Sequence, residues 1–334
     1  MNIIIDSLQQ YRNFQNNLDG FIKESFNQLD IKSIESFRKV LHNTKRIFFT
    51  GTGSSLPSAL FGAQYCVECL GLPAQFLPTG SILSMNFKED DLVFLSTQGF
   101  NRGDSELVVN KVKKDKARLA VLTANKESLL NDLADYKFYF SPFPEKLFCR
   151  PVGVQTGILS VAKILMLNVD LEKIFNATSL GKKRAPIIFE KDYKYIVLSS
   201  GVGLPIGFNF ALALREGCGI DAQSIDIETY GHGMYVSDQI LKQNGKKISY
   251  LIINILSNLH SNKACERIEP FISATNSEKI IFSSDLEIPY GYVELLTHLA
   301  ESVYKTNEVN HYDMNTPPGK EENRYYHKTE SYFL

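Results

Sequence analysis

The 334-residue chain is short of several things, and each shortage removes a class of protein. Its five cysteines have no close, even spacing, so they make no disulfide framework and point to a reducing compartment. An excess of one charge is missing too: 36 Lys and Arg face 37 Asp and Glu, a formal net charge of −1. A nucleic-acid-coating protein draws affinity from clustered surplus Lys and Arg, so this balance argues against that class. At the N-terminus only Ile3 to Ile5 is apolar before Asp6, with no basic segment ahead of it, and no signal peptide is expected. Two uncharged stretches, Ile47 to Val67 and Tyr195 to Leu214, approach the length of a membrane span. Each gathers Gly, Ser and Pro in its first third, which suits a strand, a turn and a helix better than one apolar helix. The expectation is a cytoplasmic protein that meets neither nucleic acid nor membrane. What is present, 44% hydrophobic and 22% charged residues, suffices for a substantial core. At about 150 residues per domain, the length suggests two domains or one large fold.

The two uncharged stretches resemble each other. A gapless shift of 148 positions places Leu56 on Leu204, Pro57 on Pro205, Ala63 on Ala211 and Glu68 on Glu216. Under the same shift Gly71 meets Gly219, and Ala74 and Gln75 meet Ala222 and Gln223. The reading is two copies of one α/β unit, a duplication rather than a solenoid. Each copy runs strand, Gly-rich turn, helix, strand. In the first, strands are expected at residues 46–50, 91–96 and 118–123, and helices at 56–70, 104–114 and 126–133. In the second, strands are expected at 195–199, 248–255 and 279–282. Residues 9–42 read as N-terminal helices, and 154–174 as one long helix linking the halves. Strands alternating with helices imply parallel sheets covered on both faces, in the α/β class.

Ligands of open parallel sheets bind at the carboxyl ends of the strands. Two polar loops sit there in the first copy: Gly51-Thr52-Gly53-Ser54-Ser55, and the segment from Ser96 through Gln98, Gly99 and Asn101 to Asp104. Both lead into helix N-termini, whose unpaired N–H groups and dipole attract anions, while hydroxyl and amide side chains add donors. Together they suit one phosphate, although the same Ser and Asp residues would also serve as plain helix caps. A nucleotide is not expected, since the third Gly of the dinucleotide fingerprint is absent and no Gly-Lys-Ser/Thr phosphate loop occurs. The second copy has no such cradle, for its counterpart loop Leu256–Asn262 lacks Gly. It carries instead Glu216 near a helix end and, 16 residues on, His232 between Gly231 and Gly233. The repeat partner of His232 is Ser84, so the internal symmetry is broken there. A carboxylate and a histidine supply a base and an acid near neutral pH. Plainer readings are a solvated helix residue for Glu216, as its partner Glu68 suggests, and a surface turn for His232. No cluster has metal-ligand spacing. Cys66 and Cys69 form a lone C-x-x-C in a helix, better suited to a buried face than to redox chemistry.

With these residues in place, the chain resembles the double sugar isomerase (SIS) domain family over about residues 30–330. The family includes the isomerase half of glucosamine-6-phosphate synthase and stand-alone phosphosugar isomerases, deglycases and deaminases. Gly53-Ser54-Ser55 matches the family's Gly-Thr-Ser turn. Ser96-Thr97-Gln98-Gly99-Phe100-Asn101 stands where the family has Ser-x-Ser-Gly-x-Thr, with two hydroxyls exchanged for the amides of Gln98 and Asn101. Gly153-Val154-Gln155-Thr156 matches a third element. Leu214-Arg215-Glu216 matches the helix end that carries the base, and His232-Gly233 the ring-opening histidine. The family's Lys three residues before that Glu is here Ala213, and Lys320 and Lys328 are candidates for the Lys supplied by the family's C-terminal tail.

The resemblance implies two tandem flavodoxin-like three-layer α/β/α subdomains: residues 44–178 with the phosphate loops, and 188–306 with Glu216 and His232. Helices at 1–43 would precede them, and a tail at 307–334 would fold over the site. It further implies a phosphorylated sugar or amino sugar held by Gly53, Ser54, Ser55, Ser96, Gln98, Asn101 and Thr156, and aldose–ketose isomerisation, with or without deamination. No metal or organic cofactor is expected, because the carbonyl itself acidifies the proton to be moved. A homodimer is expected, because related proteins take the His from a neighbouring subunit. No glutaminase-like segment precedes the first copy, so glucosamine phosphate synthesis from glutamine is not expected. An amine-releasing deglycase and a non-catalytic phosphosugar sensor remain open.

Overall fold

The computed structural model describes residues 2–99, 103–141, 150–166, 168–275 and 277–314. Three N-terminal helices come first: α1 (Asn2–Asn16), α2 (Leu18–Gln28) and α3 (Ile31–His42). Asp30 caps α3 by accepting from Ser33 N, so the chain can turn sharply out of α2. A first unit follows with β1 (Ile47–Thr50), α4 (Leu56–Glu68), β2 (Ala74–Phe76), α5 (Thr79–Ser84), β3 (Leu92–Thr97), α6 (Gly103–Lys114), β4 (Arg118–Thr123) and β5 (Tyr136–Tyr139). Helices α7 (Pro151–Met166) and α8 (Leu171–Lys183) lead to the second unit. That unit comprises β6 (Tyr193–Ser199), α9 (Leu204–Cys218), β7 (Ala222–Asp226), α10 (Ile227–Thr229), α11 (Tyr235–Gln243), β8 (Lys247–Ile255), α12 (Leu259–Ala274), β9 (Glu278–Ser284) and α13 (Tyr290–Asn310).

Both sheets are parallel, ordered β2-β1-β3-β4-β5 and β7-β6-β8-β9. The α/β class with parallel sheets is therefore as expected. Alternation along the strands builds the layers. Ile47 and Phe49 of β1 and Tyr195 and Val197 of β6 join one central core, together with Phe61 of α4, Phe210 of α9 and Leu295 of α13. Phe48 turns to the other face of the first sheet, against Val93, Val108 and Val112. Ile196 and Leu198 do the same on the second, against Tyr250 and Ile268. Chain order reverses between β1 and β3, and the first polar loops leave the carboxyl ends of those two strands, at the switch point where such sheets bind ligands.

Four expectations change in detail. The single linking helix at 154–174 is two, α7 and α8, because Asp170 accepts from Glu172 N and Lys173 N and starts a new helix. The helix expected at 126–133 is one 3-10 turn, Leu129–Leu133, since the Asn125 and Ser128 side chains bind nearby backbone N–H groups and compete with helix propagation. Strand β5 has no counterpart in the sequence reading; it pairs with β4 and gives Phe138 to the core. Finally, the last turn of α13 runs through 307–310, into the stretch assigned to the tail.

Candidate active site

Strand β1 ends at Thr50, and the chain turns through Gly51 into a 3-10 turn, Gly53–Ser55, that opens α4. A Cβ at Gly51 would lie 2.8 Å from the Ser96 carbonyl oxygen and 3.0 Å from that of Ser55, so only glycine lets the two loops approach this closely. They are then stitched together. Gln98 N donates to Ser55 Oγ at 3.1 Å, and Thr52 Oγ1 donates to Asp104 Oδ2 at 2.7 Å. Ser96 Oγ donates to Ser58 Oγ at 3.2 Å, and Ser58 in turn donates to the Ser55 carbonyl.

These bonds sort the expected phosphate ligands. Gly53 is exposed and Ser54 half-buried, at the mouth of the turn. Ser55 accepts from Gln98 and keeps its own proton to donate. The hydroxyl of Ser96, 1% exposed, is spent on Ser58, and Thr156, fully buried, donates to Val152 O at 2.9 Å within α7. Ser96 thus holds the loops from behind, and the Thr156 hydroxyl is spent within its own helix. Gln98 is buried, and its Nε2 has no hydrogen-bond partner among the described residues. Asn101, Lys320 and Lys328 lie outside the described residues.

Ser54 and Glu216, far apart in the chain, line one cleft together with Arg150, Gln155, Asn209 and Ala213; Tyr11, Leu296 and Leu299 also line it. The cleft encloses about 350 Å³ of non-atom space, a volume that includes open solvent. Glu216 stands in the last turn of α9. Burial pushes its carboxyl up to about 7, against the opposing pull of the Arg215 and Arg150 cations. A carboxylate poised there can take a proton at physiological pH and return it. Tyr11, Arg150 and Asn209 escaped the sequence reading. None belongs to a motif, and Tyr11 arrives only because α1 docks on α13 through Tyr11 Oη to Ala300 O and an Arg12–Glu301 ion pair.

The second unit repeats this geometry with different contents. Gly53 and Gly201 have φ of +55° and +53°, and Gly71 and Gly219 both +65°. Gly201–Gly203 is again a 3-10 turn, opening α9. Its seat is taken from within: Glu68 accepts from Val202 N and from Asn258 Nδ2. Ser200 Oγ lies 3.2 Å from His260 Nε2 beside it. Among the described residues, Glu216 shares its cleft with the first turn without such bonds.

His232 is exposed, on the turn between α10 and α11, and is not among the residues lining the cleft. Its Nδ1 donates to Glu228 O at 2.8 Å, which leaves Nε2 as the free acceptor. Burial pushes the Cys66 thiol to about 12, and partial desolvation together with the Glu68 charge pushes the more exposed Cys69 thiol to about 11, away from the thiolate that redox exchange requires. Among the described residues no group of three or more His, Cys, Asp and Glu is placed to hold a metal ion, and no helix is long and apolar enough to cross a membrane.

The SIS domain family profile matches residues 40–166, the stretch that holds β1, the phosphate loops and α7. That stretch of the chain is similar to a SIS domain. Its sequence is 25% identical over 229 residues to a glutamine–fructose-6-phosphate aminotransferase (isomerizing) of Sulfurisphaera tokodaii, a match covering 64% of this chain and 38% of that protein. The chain thus spans well under half the length of this curated relative. Beyond that stretch, the fold matches over nearly the whole chain. Tagatose-6-phosphate ketose/aldose isomerase from Escherichia coli superposes with a TM-score of 0.68 at 12% identity, covering 92% of this chain and 95% of its own. Glucosamine-6-phosphate deaminase from Thermotoga maritima does so at 0.65 and 17%, covering 93% and 97%.

Proposed function

We propose that this protein is a phosphosugar aldose–ketose isomerase acting on a phosphorylated sugar or amino sugar. The observation that carries the reading is the cleft itself: a glutamate held near 7 by burial shares it with the Ser54 turn at the sheet's switch point. The phosphate sits at the N-terminus of α4, taking hydrogen bonds from Ser54, the remaining proton of Ser55 and the Gln98 amide, with Asn101 as a further amide donor. Ser96 and Thr156 shape the seat. The open-chain carbonyl, or an imine, then lies toward Glu216. Glu216 takes the proton from C2, the C2–H electron pair forms the C1–C2 double bond, and the carbonyl oxygen gains a proton to complete the enediol or enolamine. Return of the Glu216 proton to C1, as the C2 hydroxyl gives up its proton and its electron pair forms the C2 carbonyl, gives the isomer; the proton gained at O1 and the one lost from O2 balance. His232 of a second copy of the chain protonates the ring oxygen as the sugar opens, and a tail lysine, Lys320 or Lys328, completes the site. The duplication, with one unit keeping the phosphate loops and the other the acid–base pair, makes the site asymmetric.

The amine-releasing deglycase reading retains one favourable observation. Ala213 lines the cleft where the family's additional Lys would stand, leaving room beside the base for a leaving amine. Incubation of phosphosugars in deuterated water decides among the readings. Deuterium entry at C2, lost in Glu216→Gln by roughly 10²- to 10⁴-fold, is expected for the isomerase. Amine release selects the deglycase. Phosphosugar binding without any exchange would overturn both and leave the sensor.

A further inference from the structure

The loops of this site carry two amides where the family has hydroxyls, and hydroxyls, amides and a helix N-terminus bring no full positive charge. The structure supplies one from elsewhere. Arg150, half-buried just ahead of α7, lines the cleft that holds Ser54 and Glu216, and its Nη1 donates to Gln98 Oε1 at 2.7 Å. Arginine can only donate, so this bond fixes which way the Gln98 amide faces: oxygen toward the guanidinium, NH₂ away from it. Gln98 is 6% exposed, and the Nε2 so oriented has no partner among the described residues. A buried donor left unmatched costs free energy unless a ligand meets it. Gln98 also ties the two phosphate loops together through its backbone N–H on Ser55 Oγ, so an amide turned the wrong way would place an acceptor in an anion seat.

We propose, on the phosphosugar reading above, that Arg150 is the specificity-determining cation of this cleft. Its guanidinium binds the substrate's phosphate dianion and holds the Gln98 amide with its NH₂ presented to the same group. The arrangement replaces hydroxyl donors by a charged fork and an oriented amide, and it selects a phosphate monoester over the free sugar. A guanidinium matches two phosphate oxygens at once, whereas a lysine would act as a point charge without holding Gln98 in the same way.

Inorganic phosphate, fructose 6-phosphate and fructose, titrated into the full chain by calorimetry, test this. Arg150→Met is expected to weaken both phosphate-bearing probes roughly 10- to 100-fold and leave fructose binding, if measurable, unchanged. Arg150→Lys should recover only part of the loss. Gln98→Glu, which would pair with Arg150 and oppose the anion, should lose phosphate binding to a similar degree, with unchanged circular dichroism confirming the fold in each variant. The loss in the double variant Arg150→Met, Gln98→Met should fall short of the product of the single losses, since the residues act as a unit. Wild type and Arg150→Met binding phosphate alike would overturn the proposal while leaving the phosphosugar reading intact. A wild-type chain that binds neither phosphate nor fructose 6-phosphate would overturn that reading and the proposal with it.

Discussion

Glu216 is held partly against its own charge by burial, and that has two consequences with opposite signs. As a base it works only when deprotonated, so the kcat/KM of the proposed isomerase should fall as pH drops below about 7, with one proton taken up. Stability should run the other way. The folded carboxyl binds its proton more tightly than the unfolded one, whose ordinary value is 4.5, so between 4.5 and about 7 the native state holds more protons and loses stability as pH rises. Glu216→Gln should therefore raise the melting temperature at pH 8 relative to wild type, with the gain vanishing near pH 4. Thermal melts at the two pH values check it; an equal shift at both would show that charge burial is not the cause. Ser54 and Glu216, which line one cleft, could be picked out in the sequence because motif spacing marked them; His232, marked in the same way, lies outside that cleft. Arg150 and Tyr11 could not be picked out, because each reaches the cleft from an element with no local signature.

The helices α4 and α9 give the element-scale comparison. Gly219 caps α9 directly and Gly71 lies three residues after α4; both have φ of +65°, where an L side chain is strained. A Cβ at Gly71 meets nothing within 4 Å, whereas one at Gly219 would come within 2.4 Å of Tyr312. Gly71→Ala should cost about 1 kcal/mol and Gly219→Ala roughly 1–3 kcal/mol more, by urea unfolding. Most strands were readable because parallel strands covered on both faces appear as short apolar runs. The ends of helices were harder. The helix expected at 154–174 became α7 and α8 because the Asp170 side chain accepts from backbone N–H groups and starts a new helix. Strand β5 contains only one fully buried residue, Phe138, so its tyrosines and lysine hid it.

At the scale of the whole molecule, α8 and α13 are tied by Arg184 to Glu294, whose side chain is 7% exposed and also accepts from Ser284. Arg184→Met would strand that carboxylate and should cost about 3 kcal/mol, read as a fall in the urea midpoint without a change in slope. The exposed position of His232 sets a second test. If each site takes Glu216 from one chain and His232 from another, mixing the inactive variants Glu216→Gln and His232→Ala after subunit exchange should restore about one quarter of wild-type activity. No recovery despite confirmed exchange would show that Glu216 and His232 do not act from different chains, and a His232→Ala variant that keeps full activity would place His232 outside the reaction. The sequence by itself determined the parallel α/β architecture and the two loops at strand ends, and offered the candidate base, because hydrophobic periodicity and glycine spacing are local. Only the tertiary structure decided that Glu68 fills the second turn while Glu216 faces the first. It alone decided, too, which hydroxyls are spent inward and that Arg150 joins them. The reason is physical: whether a polar atom is free depends on partners that the chain brings from distant elements, and burial, not sequence, sets the charge it can carry.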